Sequence, residues 1–277
     1  MHISSAAIIS IVIMCIGGLI LPIGAAIWWK VFKKERMTTI LLGAATWLVF
    51  SQLLEQIPNY FLFVHSNPVS AAIMSNPIVF SLLGAFMAGL FEETGRFVVF
   101  NTFLRNRKNR ETSISHGIGH GGMEALVILT ISGISNLTLA IIINLGLYDT
   151  LVLQPAAASG QSMTALMSAP AQLNALTIGT SFTAIAERIF AMVFHVGASI
   201  IVFYAVKYKK IWLYPLAILL HTALDIPAAL YQYGTIKSIL FVEVLIAVFA
   251  CAVLFVALKA LYFKDKDSIS VKTTENA

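Results

Sequence analysis

Long apolar stretches alternate with short polar segments along the whole chain. The bilayer core is about 30 Å thick, and a helix rising ~1.5 Å per residue crosses it with about 20 apolar residues. The apolar stretches, numbered spans one to seven, cover roughly residues 6–29, 37–57, 77–104, 116–146, 181–206, 211–232 and 236–263. The pattern predicts an all-α fold, a polytopic membrane helix bundle of about seven transmembrane helices.

Local signals refine three of these spans. The first is too long for the apolar region of a signal peptide, and Lys30 follows it, so we expect a retained span. The third opens with Asn76 and Pro77, an N-cap followed by proline at the first helical position. The fourth is long for a single crossing and carries Gly133 near its middle, where we expect a kink or break.

Basic residues lie almost entirely in the loops on one side of the predicted bundle. Fifteen of the 18 Lys and Arg residues follow spans one, three and five or surround the C-terminus, whereas Lys237 alone lies in a loop on the other side. By the positive-inside rule, the N-terminus is external and the C-terminus cytoplasmic. The same loops would attract the headgroups of membrane lipids. The net charge of +5 therefore reflects topology, and no nucleic-acid partner is expected.

The composition supports an integral membrane protein. Hydrophobic residues make up 58% of the 277 residues and charged residues 11%, with a mean hydropathy of +0.86. Soluble domains carry about 25% charged residues. Cys15 and Cys251 both lie inside apolar stretches, so they form neither a disulfide framework nor a thiolate metal site.

The chain shows no repeat of fixed period, so residues 1–263 are predicted to form one membrane domain. Residues 264–277 are polar and are predicted to form a disordered cytoplasmic tail. The longest external segment, residues 147–180, is rich in Ala, Ser, Gly and Gln. A segment of this length is either a lid or entry rim over a site or a mobile connection, and the sequence leaves both open.

Ionisable side chains gather inside consecutive spans. They are Glu92, Glu93 and Arg96 in span three, His116, His120 and Glu124 in span four, Glu187, Arg188 and His195 in span five, His221 and Asp225 in span six, and Glu243 in span seven. Such groups are costly in a bilayer and by default mark a function. Many of them are spaced by four residues, which places them on one helix face, and we expect four such faces to line one cavity.

Counting residues from the span ends places His195, His221 and Asp225 at the level of Glu92, with Glu124 in the cytoplasmic half. A carboxylate here can act as general base on a water. Neutral histidines can bind a metal or orient that water, and a second carboxyl can hold a histidine or stabilise an oxyanion. The set therefore favours hydrolysis within or beside the bilayer.

Three features have structural interpretations as well. Arg96 is expected to pair with Glu92 and keep it charged, which leaves Glu93 freer for metal or water. Glu187 and Arg188 lie in the outer half and indicate a separate pair or brace, and Glu243 is expected to be an interfacial or packing carboxylate. The glycines of span four favour close helix approach over phosphate binding; they are Gly117, Gly119, Gly121 and Gly122.

Common protease signatures are absent from the sequence. It contains no His-Glu-x-x-His, no Gly-x-Ser-x-Gly and no Gly-x-Gly-Asp. Four other motifs occur in order, namely Glu92-Glu93-x-x-Arg96, Gly119-His120-Gly121-Gly122-x-Glu124-Ala125, Phe194-His195 and His221-x-x-x-Asp225. This set resembles the YhfC family of intramembrane metalloproteases. That family is distantly related to the type II CAAX prenyl endopeptidases, the bacteriocin-processing proteases and the PrsW proteases. The motif core covers residues 77–232.

The resemblance implies roles by position. Glu92 and Glu93 match the Glu-Glu motif, in which one carboxylate activates water, and either of the two can be the base. Arg96 falls one residue earlier than in the CAAX-type motif, and Glu124 occupies a position that is histidine in the CAAX branch and glutamate in the PrsW branch. The implied catalytic set is Glu92, Glu93, Arg96, Glu124 and Asp225, and the implied metal ligands are His195, His221 and His120.

The resemblance also implies an activity. We expect an endopeptidase of the bacterial plasma membrane that cleaves a membrane-associated protein or peptide near the cytoplasmic half of the bilayer. The implied cofactor is a divalent metal, with zinc as the first candidate. The resemblance leaves open a mechanism in which a glutamate activates the water without a metal. Alternative hypotheses are a proton-coupled membrane transporter and a non-catalytic membrane scaffold. The oligomeric state is left open.

Overall fold

The structure is a computed structural model that describes residues 2–159 and 163–267. Throughout these residues the regular structure is helical, with no β-strand. Seven helical stretches in this part of the chain are long and apolar enough to cross a membrane. They cover Ser5–Lys33, Met37–Val64, Pro77–Asn101, Glu111–Asn144, Ile178–Lys207, Leu213–Tyr233 and Ile239–Lys264. The predicted fold class and the seven spans are confirmed, and the orientation of the termini stays a prediction.

Several spans are built from more than one helical piece. The α-helices are α1 Ser5–Lys33, α2 Met37–Val49, α3 Gln56–Asn59, α4 Pro68–Met74, α5 Pro77–Asn101, α6 Glu111–Ala125, α7 Ser132–Asn144, α8 Gln154–Ala158, α9 Met163–Asn174, α10 Ile178–Lys207, α11 Leu213–Tyr233 and α12 Ile239–Ala260. Wider π-helical turns join some of them, at Phe50–Leu54, Tyr60–Val64, Leu126–Ile131 and Asp149–Leu153. The second span therefore runs seven residues further than the predicted end at residue 57.

Helix ends follow the signals in the sequence. The Asn76 side chain accepts hydrogen bonds from the backbone N–H groups of Ile78 and Val79, and Pro77 begins α5 as predicted. Gly234 adopts φ +88° directly after α11, a conformation that glycine takes without strain, and α11 ends there. These two ends fix the length of the pair α5 and α11, which make extensive contact.

The fourth span is interrupted earlier than predicted. The π-helical turn Leu126–Ile131 separates α6 from α7, whereas the predicted break lay at Gly133. A Cβ at Gly133 would overlap the sulfur of Cys15 on α1. Gly133 therefore permits close packing of α7 on α1 and does not mark the break.

The chain divides into two compact units. The first comprises the chain up to Leu21 together with Ala125–Ala186, and its core contains Ile3, Ile11 and Ile143. The amide of Asn144 is bonded to both backbone groups of Ile3, accepting at 2.6 Å and donating at 3.1 Å. The prediction of a single membrane domain covers both units and stays a prediction.

The segment 147–180, predicted to be external, belongs to this first unit and is largely helical in its described part. It holds the π-helical turn at Asp149–Leu153, the short helices α8 and α9 and the start of α10, while residues 160–162 lie outside the described residues. The Tyr148 hydroxyl donates to the carbonyl oxygen of Leu166 at 2.5 Å. Where it is described, this segment is thus helical, and both interpretations, a lid or entry rim and a mobile connection, stay predictions.

The second unit comprises Pro22–Glu124 and the chain from Glu187 onward, and it contains every predicted site residue. Its apolar core includes Phe100 of α5, Phe194 of α10 and Leu224 of α11. Many large apolar side chains point outward, among them Leu219 and Phe255, because lipid tails replace water around this surface. The chain is a multi-pass membrane protein.

Glycines of α6 allow the close approach that was predicted. A Cβ at Gly117 would lie 2.6 Å from the Cα of Val196 on α10. A Cβ at Gly119 would overlap the carbonyl oxygen of Ile40 on α2. Backbone contact on both sides brings α6 close enough for its histidines to reach residues of α5 and α10.

The predicted tail begins later than residue 264. Lys264 ends a short 3₁₀ helix, and Asp265 is only 3% exposed. The Tyr204 hydroxyl donates to the Asp265 carboxylate at 2.7 Å, and Lys207 contacts the same carboxylate. These contacts hold the chain at the end of α10, so disorder from residue 264 is not what the described residues show. Residues 268–277 lie outside the described residues.

Candidate metal and catalytic centre

Three buried ionisable groups lie on one stretch of α5. Glu92, Glu93 and Arg96 are all nearly inaccessible to solvent. The Arg96 guanidinium contacts Glu93 directly through Nη1, whereas its Nη2 lies 3.9 Å from Glu92 Oε2. The predicted pairing of Arg96 with Glu92 is present at the longer distance, but the prediction that it leaves Glu93 freer is wrong, because Glu93 is the closer partner. Glu93 and Glu92 precede Arg96 by three and four residues, and both spacings place a side chain on the same helix face as Arg96. Spacing alone therefore did not distinguish the two partners.

Glu93 is held from two helices. Besides Arg96, its Oε1 lies 2.7 Å from Nδ1 of His221 on α11. Its other oxygen, Oε2, is buried without a hydrogen-bond partner among the described residues. Glu93 therefore neutralises Arg96 and orients the His221 ring.

Glu92 Oε2 lies at the centre of the buried cluster. His120 Nε2 is 2.8 Å away, His221 Nε2 3.8 Å and His195 Nδ1 4.0 Å. The three histidines come from α6, α11 and α10, so four helices converge on this one oxygen. Side chains of spans three to six therefore converge as predicted. The cavity that includes Asp225 is lined by residues of spans two, three and six and of α4.

Arg96 connects α5 to α10. Its Nη2 lies 2.6 Å from His195 Nδ1, and its Nε donates to the Ser199 hydroxyl at 3.3 Å. The same hydroxyl is 3.2 Å from His116 Nδ1, and His116 Nε2 is 3.2 Å from the Thr46 hydroxyl. His116 thus packs beside the cluster with hydroxyl partners, away from the carboxylates.

Glu124 joins His195 to Arg188. Its carboxylate contacts His195 Nε2 with one oxygen and Arg188 Nη1 with the other. The second guanidinium nitrogen of Arg188 contacts Glu187. The pairing of Glu187 with Arg188 is as predicted, but the pair is not separate, because Arg188 continues through Glu124 to the cluster.

Asp225 is the most accessible member. Its Oδ2 lies 3.5 Å from His221 Nε2, one turn back on α11, and its side chain is 33% exposed. The predicted pairing of these two residues is therefore seen. Asp225 also lines a cavity that leads away from the cluster.

One group of side chains in the described part of the chain could hold a metal ion. Ligand atoms of Glu92, His120 and His195 all lie within 4.8 Å of one another. One carboxylate and two imidazoles are a common zinc-binding set when a fourth position stays open. The contact of Glu124 with His195 Nε2 is the carboxylate–histidine pairing that orients such ligands. The donors therefore fit a catalytic metal in type, number and spacing.

The Nδ1 atoms of His120 and His195 also bear on how well these residues fit a metal. His120 Nδ1 is buried and has no partner among the described residues. His195 Nδ1, the atom that faces Glu92, is also within hydrogen-bonding distance of Arg96. Metal binding through this atom therefore requires Arg96 to give up that contact. His221, predicted as a ligand, is outside this group, although its Nε2 lies 3.8 Å from Glu92 Oε2.

Glu55 was missed by the sequence reasoning. It is buried at the junction between the first π-helical turn of span two and α3, and its Oε1 accepts a hydrogen bond from Asn59 Nδ2 at 3.0 Å. Its Oε2 is buried without a partner in the described structure. The sequence contained the signal, because Glu55 lies within the predicted second span. An ionisable side chain inside a span is costly and by default marks a function, as was argued for the other carboxylates.

Comparison with known proteins agrees with this geometry. The sequence profile of the YhfC intramembrane metalloprotease family matches residues 17–246. The chain is also similar to the "Uncharacterized membrane protein YhfC" of Bacillus subtilis (strain 168), with 32% identity over 254 residues, 91% of this chain and 96% of that protein. No solved structure matches the chain. Since the profile covers all of α5, α6, α10 and α11, the chain belongs to the YhfC intramembrane metalloprotease family.

Proposed function

We propose that this protein is a membrane-embedded endopeptidase that hydrolyses peptide bonds of a membrane-associated protein or peptide. One observation carries the proposal: a buried carboxylate oxygen of Glu92 lies within 4.0 Å of nitrogens of three histidines from three other helices. Peptide hydrolysis needs a base for water, a donor for the developing oxyanion and a place that holds both. This cluster supplies all three inside the bilayer.

Glu92 is the proposed base. Its carboxylate faces three imidazoles, and the Arg96 guanidinium lies 3.9 Å away, so its negative charge is stabilised by nearby donors. A water beside Oε2 gives its proton to Glu92 as it attacks the peptide carbonyl carbon. The same proton then moves from Glu92 to the leaving amine nitrogen.

His221 is the proposed donor to the oxyanion. Glu93 orients the ring through Nδ1, which directs Nε2 to the space between Glu92 and Asp225. Nδ1–H donates to the Glu93 carboxylate, so Nε2 carries a proton only when the ring is an imidazolium. In that form Nε2–H can donate to the carbonyl oxygen of the scissile bond. A donor held in place before the reaction stabilises the charge that develops in the transition state.

Glu92, His120 and His195 are the residues that would hold a metal, and zinc suits this donor set best. A bound divalent metal supplies polarisation of the peptide carbonyl and makes a coordinated water more acidic. Glu92 would then be a ligand, and the proton would pass to another carboxylate of the cluster. Metal content distinguishes this form from the metal-free one.

The test is peptidase activity of the purified protein in liposomes, with membrane-tethered fluorogenic peptides as substrates. We expect Glu92→Gln and His221→Ala to lower turnover by about 10²–10⁴-fold, the usual contribution of such groups. Glu187→Gln is a matched control, because this intramembrane carboxylate contacts Arg188 and not the three histidines. Equal turnover by the wild type, Glu92→Gln and His221→Ala would refute the mechanism.

One observation favours the transporter alternative. Contacts run without a gap from Arg188 through Glu124, His195 and Arg96 to Glu93, and such chains also serve as proton relays. Proton flux in liposomes that depends on Glu124, combined with no cleavage of any peptide, would support a transporter instead.

A further inference from the structure

A cavity of about 730 Å³ adjoins the catalytic cluster at Asp225. Its walls come from residues 56–64, 80–85 and 225–232 of the second unit, together with Met74 of α4. The volume is within the range of about 300–1,000 Å³ that is usual for ligand pockets. Asp225 belongs to both the cavity and the cluster, so an occupant of the cavity would contact a carboxylate whose Oδ2 lies 3.5 Å from His221 Nε2.

The position of the cavity along the helices defines its opening. Residues 80–85 are near the start of α5 and residues 225–232 near the end of α11, so both lie at the same end of this helix pair. The basic segments after α5 and α10 lie at the opposite end. By the positive-inside rule, the cavity then opens toward the non-cytoplasmic side.

The polar groups of the cavity match those of a peptide backbone. Gln56, Asn59 and Gln232 present side-chain amides, each with N–H donors and a carbonyl acceptor. Glu55, the hydrogen-bond partner of Asn59, does not itself line the cavity. The amides of the cavity wall can donate to the carbonyl groups of an occupant and accept from its N–H groups, as a peptide backbone requires.

Small residues keep the cavity open. Gly84, Ala85, Ala228 and Ala229 all line it. A Cβ at Gly84 would meet only the tip of the Phe63 ring, at 3.9 Å. A larger side chain at position 84 would therefore extend into the cavity without pressing on the backbone of another helix.

We propose that this cavity is the entry and binding site for an extended peptide segment, which approaches the catalytic cluster past Asp225 from the non-cytoplasmic side. Extended main chain offers the alternating N–H and C=O groups that the three amides can bind. The inference rests on the proposed peptidase function. The cavity lies toward the non-cytoplasmic ends of α5 and α11, whereas Glu92 and His221 lie near the middle of these helices.

Filling the cavity is the first test. We expect Gly84→Phe to raise KM or abolish cleavage, and Leu82→Phe, on the outward-facing side of the same helix, to stay within about twofold of wild type. Asn59→Leu removes the amide at similar size, and we expect KM to rise about tenfold for one lost hydrogen bond. Equal kinetics for Gly84→Phe and Leu82→Phe would overturn the inference.

Accessibility is the second test and needs no catalysis. Ala229→Cys is introduced into the Cys15→Ala, Cys251→Ala, Glu92→Gln protein in sealed vesicles of known orientation, with Lys209→Cys as the control at the basic end. We expect a membrane-impermeant maleimide to label the two positions from opposite faces. N-acetyl-penta-alanine amide at millimolar concentration is expected to slow labelling at position 229.

The outcomes separate the two proposals. Labelling of both positions from the same face, or no slowing by the peptide, would overturn the entry site. Labelling from opposite faces with slowing by the peptide, in a protein whose wild type cleaves no peptide, would keep the cavity as a peptide-binding site and reject the peptidase.

Discussion

The Arg96 guanidinium contacts the Glu93 carboxylate three residues back on the same helix, and both side chains are fully buried. Glu92, next to Glu93 in sequence, points about 100° away around α5 and faces the histidines instead. Two adjacent glutamates therefore have separate tasks. Glu93 balances a buried positive charge, and Glu92 faces the histidines, as its proposed role as the base requires.

Glu93→Gln and Glu92→Gln should therefore fail in different ways. Removing the charge of Glu93 leaves the buried Arg96 with only the more distant carboxylate of Glu92. Breaking a buried ion pair costs about 3–5 kcal/mol, so we expect a clear loss of thermal stability in detergent. Glu92→Gln should lose activity and keep more of its stability, because Arg96 retains Glu93. Similar melting temperatures for the two variants would contradict this division.

Metal content should depend on His120 and not on His116. If the centre binds zinc, elemental analysis of purified wild type should give about one ion per chain, and His120→Ala should lose it. His116→Ala is the matched control. His116 lies on α6 one turn before His120, but its ring contacts the hydroxyls of Thr46 and Ser199. Metal-free wild type with full peptidase activity would leave Glu92 as the base without metal.

Glu124→Gln should weaken metal binding without removing a ligand. Glu124 contacts the far nitrogen of His195, and loss of such a carboxylate partner typically lowers metal affinity about 10–100-fold. Competition with a chelator of known affinity measures this shift. An unchanged affinity would mean that His195 does not bind through the nitrogen opposite Glu124.

The C-terminal contact at Asp265 should lose its effect in acid. Burial alone would raise the pKa of Asp265, but hydrogen bonds from Lys207 and Tyr204 outweigh it and lower the pKa below its usual value. A lowered pKa in the folded protein stabilises it above the unfolded pKa of about 4, and this stabilisation disappears as the pH falls through the folded value. Asp265→Asn should thus lower the melting temperature at pH 7 and have little effect near pH 3.

Asp267→Asn is the control for that measurement. Asp267 also pairs with Lys207, at 3.0 Å, but its side chain is 55% exposed, and exposed pairs contribute little. A melting-temperature loss at pH 7 that is the same for both variants would contradict a specific role of the buried carboxylate.

Alanine at Gly119 should destabilise the protein, and alanine at Gly24 should not. A Cβ at position 119 overlaps the backbone of α2, and overpacking of this kind costs about 1–3 kcal/mol or more. No atom lies within 4 Å of a Cβ at Gly24, so the higher helix propensity of alanine is unopposed there. Thermal unfolding of the two variants in detergent distinguishes the effects, and equal melting temperatures would contradict them.

The spans and the assembly of the centre were predictable because both depend on simple periodicity. Apolar length identifies a membrane helix, and spacing by four places Glu92, His120 and His221 on inward faces. The partner of Arg96 was not predictable, because side-chain direction decides between positions three and four back. Counting residues from the span ends placed His221 level with Glu92. This count could not show which ring nitrogen each carboxylate contacts.

The parts outside the spans were less accessible to sequence reasoning for another reason. Helices α8 and α9 are short and rich in Ala, Ser and Gln, so they lack the long apolar stretch that identified the spans. Asp265 is polar in a polar segment, and only its contacts with Tyr204 and Lys207 show that it is buried. Tertiary contacts, not local pattern, order these segments.

The pairing of Glu93 with Arg96 also bears on how the chain enters the membrane during synthesis. The helix α5 is made before α10 and α11, so it reaches the bilayer with two carboxylates and a guanidinium while His195, Ser199 and His221 do not yet exist. A lone charge at mid-membrane costs about 2.5–3.5 kcal/mol on insertion scales. Because Glu93 and Arg96 neutralise each other within one helix, α5 can be inserted before the helices that later cover it.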